Sequence, residues 1–116
     1  MGLRNVLGDN ALTWTAAGAA TTVSGPIANA GVANDVLLMV HVSATSGTPT
    51  LNVSLEQSDD NSSYSAVTGS AITQLTAAGN AVANARVTKP YVRVTSTIAG
   101  GTPSVTGRAT VLVIPD

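Results

Sequence analysis

Alternation of apolar and polar residues with a period of two constrains the fold of this chain more than any other feature. Between residues 50 and 57 the two classes occupy alternate positions: Leu51, Val53 and Leu55 against Asn52, Ser54 and Glu56. Successive side chains of a strand point to opposite faces, so this segment predicts a strand with one buried and one solvated face. Because turn signals recur about every ten residues, the chain favours an all-β sandwich or barrel.

Two segments, 35–43 and 105–114, break this alternation because parts of both their faces are apolar. The residues on the second face are Leu37 and Met39 in the first segment, and Leu112 and Ile114 in the second. A strand of this kind is either covered on both faces or presents its second face to another subunit. We therefore expect these four side chains to be covered by a neighbouring subunit or by a second sheet.

The same reasoning predicts the remaining strands and the fold class. Strands are expected at 11–17, 20–24, 35–43, 50–57, 63–67, 71–76, 81–87, 91–98 and 105–114, with 20–24 and 63–67 fitting the pattern least. They indicate a single antiparallel β-sandwich, jelly-roll or immunoglobulin-like, of about eight strands. Residues 1–10 lack periodicity and are predicted as an N-terminal arm, which leaves residues 11–116 as the sandwich domain.

A short internal repeat punctuates the strands. Gly47-Thr48-Pro49 and Gly101-Thr102-Pro103 each follow a Val-x-Val segment and precede another predicted strand. Glycine and proline favour turns and extended exits from them, so the repeat predicts two similar hairpins. Gly107, inside the last strand, predicts a bulge or a close backbone approach.

Composition excludes several classes of function. The chain has no Phe and no Cys, so its core is expected to use small branched side chains, and neither disulfides nor thiolate metal sites are expected. Only 9% of its residues are charged and its net charge is −1, which gives no electrostatic footprint for nucleic acid. No apolar run fits a signal peptide or a membrane span, so we expect a soluble product without a membrane partner.

The residues needed for catalysis are sparse. His41 is the single histidine and lies in a predicted strand, and no Gly-x-Ser-x-Gly motif accompanies the serines. Asp59 and Asp60 are adjacent, so on an extended chain they would point apart rather than act on one bond. We expect no enzymatic activity and no cofactor.

The segment QSDDNSSYSAV, residues 57–67, gathers carboxylates, an amide and hydroxyls. Oxygen-rich loops bind hard cations, which leaves a calcium site as one interpretation, although the spacing of an EF-hand is absent. Asp and Asn also hydrogen-bond their own backbone and tolerate left-handed conformations, which predicts a tight turn between two strands. We favour the turn and predict no metal site.

Two basic residues of the C-terminal third complete the candidate sites. If segments 91–98 and 105–114 pair as a hairpin, Arg93 and Arg108 could share a face that meets an acidic partner, although two solvated side chains are the favoured interpretation. The candidate interface therefore comprises Leu37, Met39, Arg93, Arg108, Leu112 and Ile114.

Residues 50–114 carry a family resemblance. The order LNVSLEQSDDNSSYSAV, then AITQL, then KPYVRVTSTIAGGTPSVTGRATVLV resembles small virion proteins of tailed bacteriophages, above all capsid decoration (cement) proteins. A similar turn followed by Tyr-Val-Arg also occurs in discoidin-type carbohydrate-binding domains. Asn61 stands where Gly is commonest in the pattern, and residues 1–49 carry no motif of it.

The resemblance implies a structural virion protein that is made in the host cytoplasm, binds the outside of an assembled capsid and stabilises the shell. Its implied partners are the major capsid protein and further copies of itself, with a homotrimer expected. The alternative is a carbohydrate-binding module or the receptor-binding tip of a virion. Sugar recognition usually relies on exposed aromatic rings, and this chain has one Trp and two Tyr.

Overall fold

The computed structural model describes residues 7–24, 27–28 and 34–114, and its regular elements there are all β-strands. Neighbouring strands pair antiparallel. The seven strands are β1 Leu7–Ala17, β2 Ala20–Val23, β3 Ile27–Ala28, β4 Asn34–Ser58, β5 Ser65–Ala66, β6 Gly79–Val87 and β7 Tyr91–Ile114. Within the described ranges no helix is long and apolar enough to cross a membrane.

Strands β4 and β7 form the frame of the molecule. They contain 25 and 24 residues and pair with each other from Asp35↔Ile114 to Ser58↔Tyr91. A straight strand of that length would extend about 80 Å, whereas the longest dimension of the molecule is 44 Å. The two-stranded ribbon therefore bends back, and each of its two strands contributes to both layers of a sandwich.

The bend divides the strands between two layers. The first layer has the order β1–β7–β4–β6 and uses the C-terminal half of β7 and the N-terminal half of β4. The second layer has β2 and β3 on one side of β7, and β5 beside the C-terminal half of β4. This is the antiparallel β-sandwich that the period-two alternation predicts. The nine predicted segments become seven strands: 35–43 and 50–57 merge into β4, 91–98 and 105–114 merge into β7, segment 71–76 forms no strand, and β3 lies outside every predicted segment.

One apolar core lies between the layers. Its largest fully buried side chains are Leu and Val from both halves of the long strands and from β6: Val36, Leu38, Val40, Val42, Leu51, Val53, Leu55, Val87, Val92, Val94, Val105 and Val111. Burying one such side chain contributes about 1.5–3 kcal/mol. Trp14 of β1 is buried against this cluster and lies opposite Gly107 of β7 in the register of the two strands. The core thus consists mainly of the small branched residues that the composition indicates.

The Gly-Thr-Pro repeat forms the bend, and the prediction of two hairpins was wrong. Residue Thr48 pairs with Gly101 across the ribbon, so the two copies of the repeat face each other. The Thr48 hydroxyl accepts a hydrogen bond from the Gly101 N–H at 3.0 Å and donates one to the Gly101 carbonyl at 3.2 Å. A Gly-Pro signal marks irregular backbone, but only the partner strand decides whether the chain reverses or bends at that point.

The predicted arm extends into the sheet. Residues 7–10, assigned to the arm, belong to β1 and pair with β7 from Leu7↔Val113 to Asn10↔Thr110. An edge strand is held by backbone hydrogen bonds, which require no apolar periodicity, and for this reason the sequence pattern missed it. Residues 1–6 lie outside the described part of the chain.

The weaker strand predictions have mixed outcomes. Segments 20–24 and 63–67 contain the short strands β2 and β5. Segment 71–76 forms no strand and contributes one bridge, Leu51↔Leu75, along the edge of β4. The bulge predicted from Gly107 is present, since the pairing of β4 with β7 shifts register between Val42 and Ala44, next to the Val42↔Gly107 pair.

The bend supplies a stability test. Gly47 has φ +72°, and a Cβ built there would lie 2.0 Å from the Thr102 carbonyl oxygen, whereas Gly69 has φ +80° and open space around it. We expect Gly47→Ala to lower the free energy of unfolding by about 3 kcal/mol or more, from backbone strain plus overlap. Gly69→Ala should cost only the left-handed backbone, about 1–2 kcal/mol. Urea denaturation of both variants measures the difference, and equal losses would contradict the close approach at the bend.

Candidate functional site

The outer face of the first layer collects most of the candidate residues. We define the outer face as the side chains of β4, β6 and β7 that point away from the core in this layer: Leu37, Met39, His41, Asn80, Val82, Asn84, Arg108, Thr110 and Leu112. They alternate along each strand with buried residues such as Leu38, Ala83 and Val111. The outer face is therefore the second face whose apolar character stood out in the sequence.

Strand register arranges the outer face in three rows across β6, β4 and β7. The rows are Asn84, Leu37 and Leu112; then Val82, Met39 and Thr110; then Asn80, His41 and Arg108. Directly opposite side chains in a sheet lie about 4.5–5.5 Å apart at Cβ and contact one another. The outer face thus changes from apolar at one end to polar and basic at the other.

The apolar end is only partly covered. Leu37, Met39 and Leu112 are half-buried by their neighbours, and Val82 is 60% exposed. The second layer packs on the opposite side of these strands, and none of the described strands lies over the outer face. The structure therefore brings together Leu37, Met39 and Leu112, three of the four residues that were expected to be covered. The second sheet of the sandwich does not cover them.

The polar end is an open depression of about 770 Å³ between the side chains of β4, β6 and β7. Within it the His41 Nδ1 donates a hydrogen bond to the Asn80 Oδ1 at 2.6 Å. This bond fixes the imidazole against the neighbouring strand and leaves its Nε2 away from that contact. Met39 and Val82 form the apolar wall of the same depression, and Arg108 and Thr110 lie on its far side.

Arg108 differs from the other described basic residues. Arg86, Lys89 and Arg93 each lie within 4.0 Å of a carboxylate. In the described part of the chain Arg108 has no such partner, and its side chain is exposed. An arginine that is not neutralised locally, next to apolar side chains, provides a binding point for an acidic group.

The hairpin that would bring Arg93 and Arg108 onto one face does not form, because segments 91–98 and 105–114 belong to one strand. Both belong to β7, but the bend places them in different layers. On the second layer Arg93 Nε donates to Glu56 Oε1 at 2.8 Å, and its guanidinium lies 3.9 Å from the centroid of the Tyr64 ring. Arg93 therefore has both an ionic and an aromatic partner. For Ile114 only the backbone is described; it pairs with Asp35 beyond the apolar row.

The acidic segment is a hairpin turn, as favoured from its sequence. It joins β4 to β5, and Asn61 has φ +58°, the left-handed conformation that Asn tolerates. Asp60 Oδ1 accepts hydrogen bonds at 2.9 Å from the backbone N–H groups of Ser63 and Ser62 and from the Ser58 hydroxyl. These donors, that of Ser63 first, stabilise the carboxylate and hold the pKa of Asp60 below its ordinary value of 3.8.

Both carboxylates of the turn are engaged by the protein. The Asp59 Oδ2 lies 3.4 Å from Lys89 Nζ, while Asp60 closes the turn itself. Among the residues described here, no three His, Cys, Asp or Glu side chains cluster as a metal site would require. The contacts of Asp59 and Asp60 therefore explain why this turn is rich in acidic and polar residues.

Five residues of the outer face were missing from the predicted interface. Asn80, Val82 and Asn84 lie on β6, Thr110 lies on β7 between two residues that were selected, and His41 of β4 was considered only as a strand histidine. The alternation in GNAVANARV places Asn80, Val82 and Asn84 in one phase, which was available as a signal. What was missing was the position of β6 beside β4, because strand order is not encoded in a local pattern.

These features define a class: a two-layer antiparallel β-sandwich built on one long, bent ribbon. No protein-family model and no curated protein matches the sequence. Among solved structures, the PBSX exported protein XepA superposes with a TM-score of 0.73 at 12% identity, over 95% of this chain and 37% of that chain. The SPBc2 prophage-derived protein YomS superposes with a TM-score of 0.54 at 10% identity, over 93% of this chain and 92% of that chain.

A viral chain shares the architecture as well. A chain in the structure of infectious bursal disease virus, Gx strain, superposes with a TM-score of 0.55 at 13% identity, over 95% of this chain and 33% of that chain. The protein thus spans about a third of the XepA and virus chains and nearly all of YomS. At these identities the likeness establishes the fold, and function has to be argued from the surface.

The turn yields a prediction in acid. Because the pKa of Asp60 is lowered in the folded protein, its contribution to stability is present above pH 3.8 and is lost as the pH falls through the lowered pKa. NMR titration of the side-chain carboxyls should therefore give Asp60 a midpoint below 3.8, and Asp60→Asn should remove part of the acid dependence of unfolding. Asp59→Asn is the control, since that carboxylate faces Lys89. A midpoint for Asp60 at or above 3.8 would contradict the turn geometry.

Proposed function

We propose that this chain is a structural protein of a bacteriophage particle, and specifically a decoration protein that binds the outside of an assembled capsid and stabilises the shell. The observation that carries the proposal is the outer face, where half-buried Leu37, Met39 and Leu112 adjoin exposed Val82. Arg108 lies beside them and has no carboxylate within 4.0 Å among the described residues. Contiguous apolar side chains left open on a folded domain mark a surface for another macromolecule. The fold shared along nearly the full length of prophage-derived YomS supports a phage origin.

The proposed mechanism is mass action on the shell. A protein that binds the assembled lattice, and not the loosened one, stabilises the lattice by its differential binding free energy. Each occupied site stabilises the assembled state by about 2.7 kcal/mol when the concentration of free decoration protein is a hundred times its dissociation constant. Repeated over many equivalent sites, such increments raise the temperature at which a capsid opens, and the proposal requires no catalytic step.

The chemistry of the outer face defines the surface it would bind. Its apolar end would be covered by apolar side chains of the major capsid protein, and Arg108 would meet a carboxylate of that protein. Arginine forms paired hydrogen bonds with carboxylates, which adds orientation to attraction. The opposite layer is less suited, because Arg93 there is already held by Glu56 and Tyr64.

Carbohydrate binding is the competing proposal from the sequence, and the placement of the aromatic rings disfavours it. Trp14 is 4% exposed, and Tyr64 is covered by the guanidinium of Arg93. Two of the rings on which a sugar could stack are therefore occupied. A glycan array is the direct comparison: retention on glycans without binding to capsids would replace the decoration proposal by the carbohydrate one.

The test uses purified capsids that lack the protein. We expect the wild-type chain to co-sediment with them and to raise their melting temperature. Arg108→Gln should weaken binding about tenfold or more, since a hydrogen bond to a charged group contributes about 1.5–3 kcal/mol and about 1.4 kcal/mol corresponds to tenfold.

Asn52→Glu is the matched control for this test. It changes the net charge by the same single unit, at an exposed position of β4 in the second layer. It should leave capsid binding unchanged. Equal loss in both variants would indicate a general charge effect, and no binding by the wild-type chain would refute the proposed function.

A further inference from the structure

Among the described strands, β6 is the long and regular edge of the sandwich. It pairs with β4 over nine residues without a register shift. Its other edge has no strand partner in the part of the chain that the structure describes. The sequence GNAVANARV contains no proline, a residue that commonly prevents an edge from pairing, and its one charged residue, Arg86, is next to the end of the strand and lies 3.4 Å from a carboxylate oxygen of Asp35.

The other edges are interrupted or short. Strand β1, at the opposite side of the first layer, has two register shifts in its pairing with β7, and Ala16 beside one of them has φ +48°. In the second layer β2 has four residues, and β3 and β5 have two each. Bulges and very short strands are the usual means of blocking edge-to-edge association. Strand β6 has neither.

We propose that β6 pairs antiparallel with β6 of a second copy of this chain, joining the two first layers into one continuous sheet. A twofold pairing needs only one open edge from each copy. A head-to-tail contact would instead need the edge of β1, which its register shifts make irregular. Because the edge of β6 is regular and the edge of β1 is not, the partner that fits β6 best is β6 of a second copy.

The side chains of β6 are complementary to themselves in one register. Centring the twofold axis on Val82 places it opposite Val82 of the second copy, and places Asn80 opposite Asn84 and Ala81 opposite Ala83. The 60% exposed valine would then be covered by an apolar neighbour, and the amides would face each other on the outer face. Shifting the axis to Ala83 would place Val82 opposite Asn84, which matches apolar to polar. Cross-strand pairs of like character favour the first register.

This pairing would enlarge the outer face. The apolar row through Val82 and Met39 would continue across the axis into the same row of the second copy. The result is an assembly built from pairs, which differs from the homotrimer that the family resemblance implies. The inference rests on the edge of β6 and does not depend on whether the protein binds a capsid.

Sedimentation of the full chain over a range of concentrations, without capsids, tests the pairing. We expect the wild-type chain to form a concentration-dependent dimer, and Val82→Lys to raise the dissociation constant at least about tenfold by placing two like charges at the axis. Val23→Lys is the matched control, because Val23 is a 47% exposed valine on the short β2 edge. Circular dichroism and urea denaturation should show both variants folded, since each side chain is exposed.

A cysteine scan gives a second readout, because the chain has no native cysteine. Directly opposite residues have Cβ atoms about 4.5–5.5 Å apart, close to the separation of about 3.5–4.5 Å in a disulfide. Val82→Cys should therefore form a disulfide-linked dimer on mild oxidation, faster than Val23→Cys at equal concentration.

Two results would overturn the proposal. One is a wild-type chain that stays monomeric at every concentration. The other is a trimer or other oligomer that Val82→Lys leaves intact. Either result would leave the proposed capsid binding untouched, because that is measured separately with Arg108→Gln, a residue of β7 away from this edge.

Discussion

The antiparallel pairing of β4 with β7 is the interaction on which the rest of the structure depends. The two strands contact each other along their whole length, and each carries buried residues on both sides of the bend. Because one ribbon contributes to both layers, the layers are tied by covalent backbone as well as by the core. The shorter strands then only extend a frame whose register is already fixed, and their edges decide what the frame can bind.

The bend determines how the surface is divided. It is held where Thr48 meets Gly101, and it requires glycine because two backbones approach within a distance that no Cβ fits. On one side of it lies the outer face, with its apolar rows and Arg108. On the other side Arg93 contacts Glu56 and the Tyr64 ring within its own layer. One strand thus supplies an available arginine and a structural one, and the difference between them comes from the neighbours that each layer provides.

Both proposals, capsid binding and pairing between copies, start from the contrast between the inward and outward side chains of β4. The inward side chains of β4 form part of the core. Apolar side chains on its outward face lower the solubility of the protein unless another surface covers them. Leu37 and Met39 of β4 and Leu112 of β7 are half-buried by one another, and Val82 on the neighbouring strand is the most exposed of the set. The open edge of β6 lies beside the same residues. Association with a shell and pairing between copies would therefore use adjoining parts of one layer.

The sequence by itself determined the class of fold, the core and the turn at Asp60, because alternation and turn chemistry are local properties of the chain. It also singled out Leu37, Met39 and Leu112, since apolar residues in the wrong phase can be read without a structure. Only the tertiary structure decided that predicted strands merge across the Gly-Thr-Pro repeat, that Arg93 and Arg108 lie in different layers, and that β6 brings Val82 beside Met39. Those outcomes depend on which strands pair, and pairing is set by contacts between residues far apart in the chain.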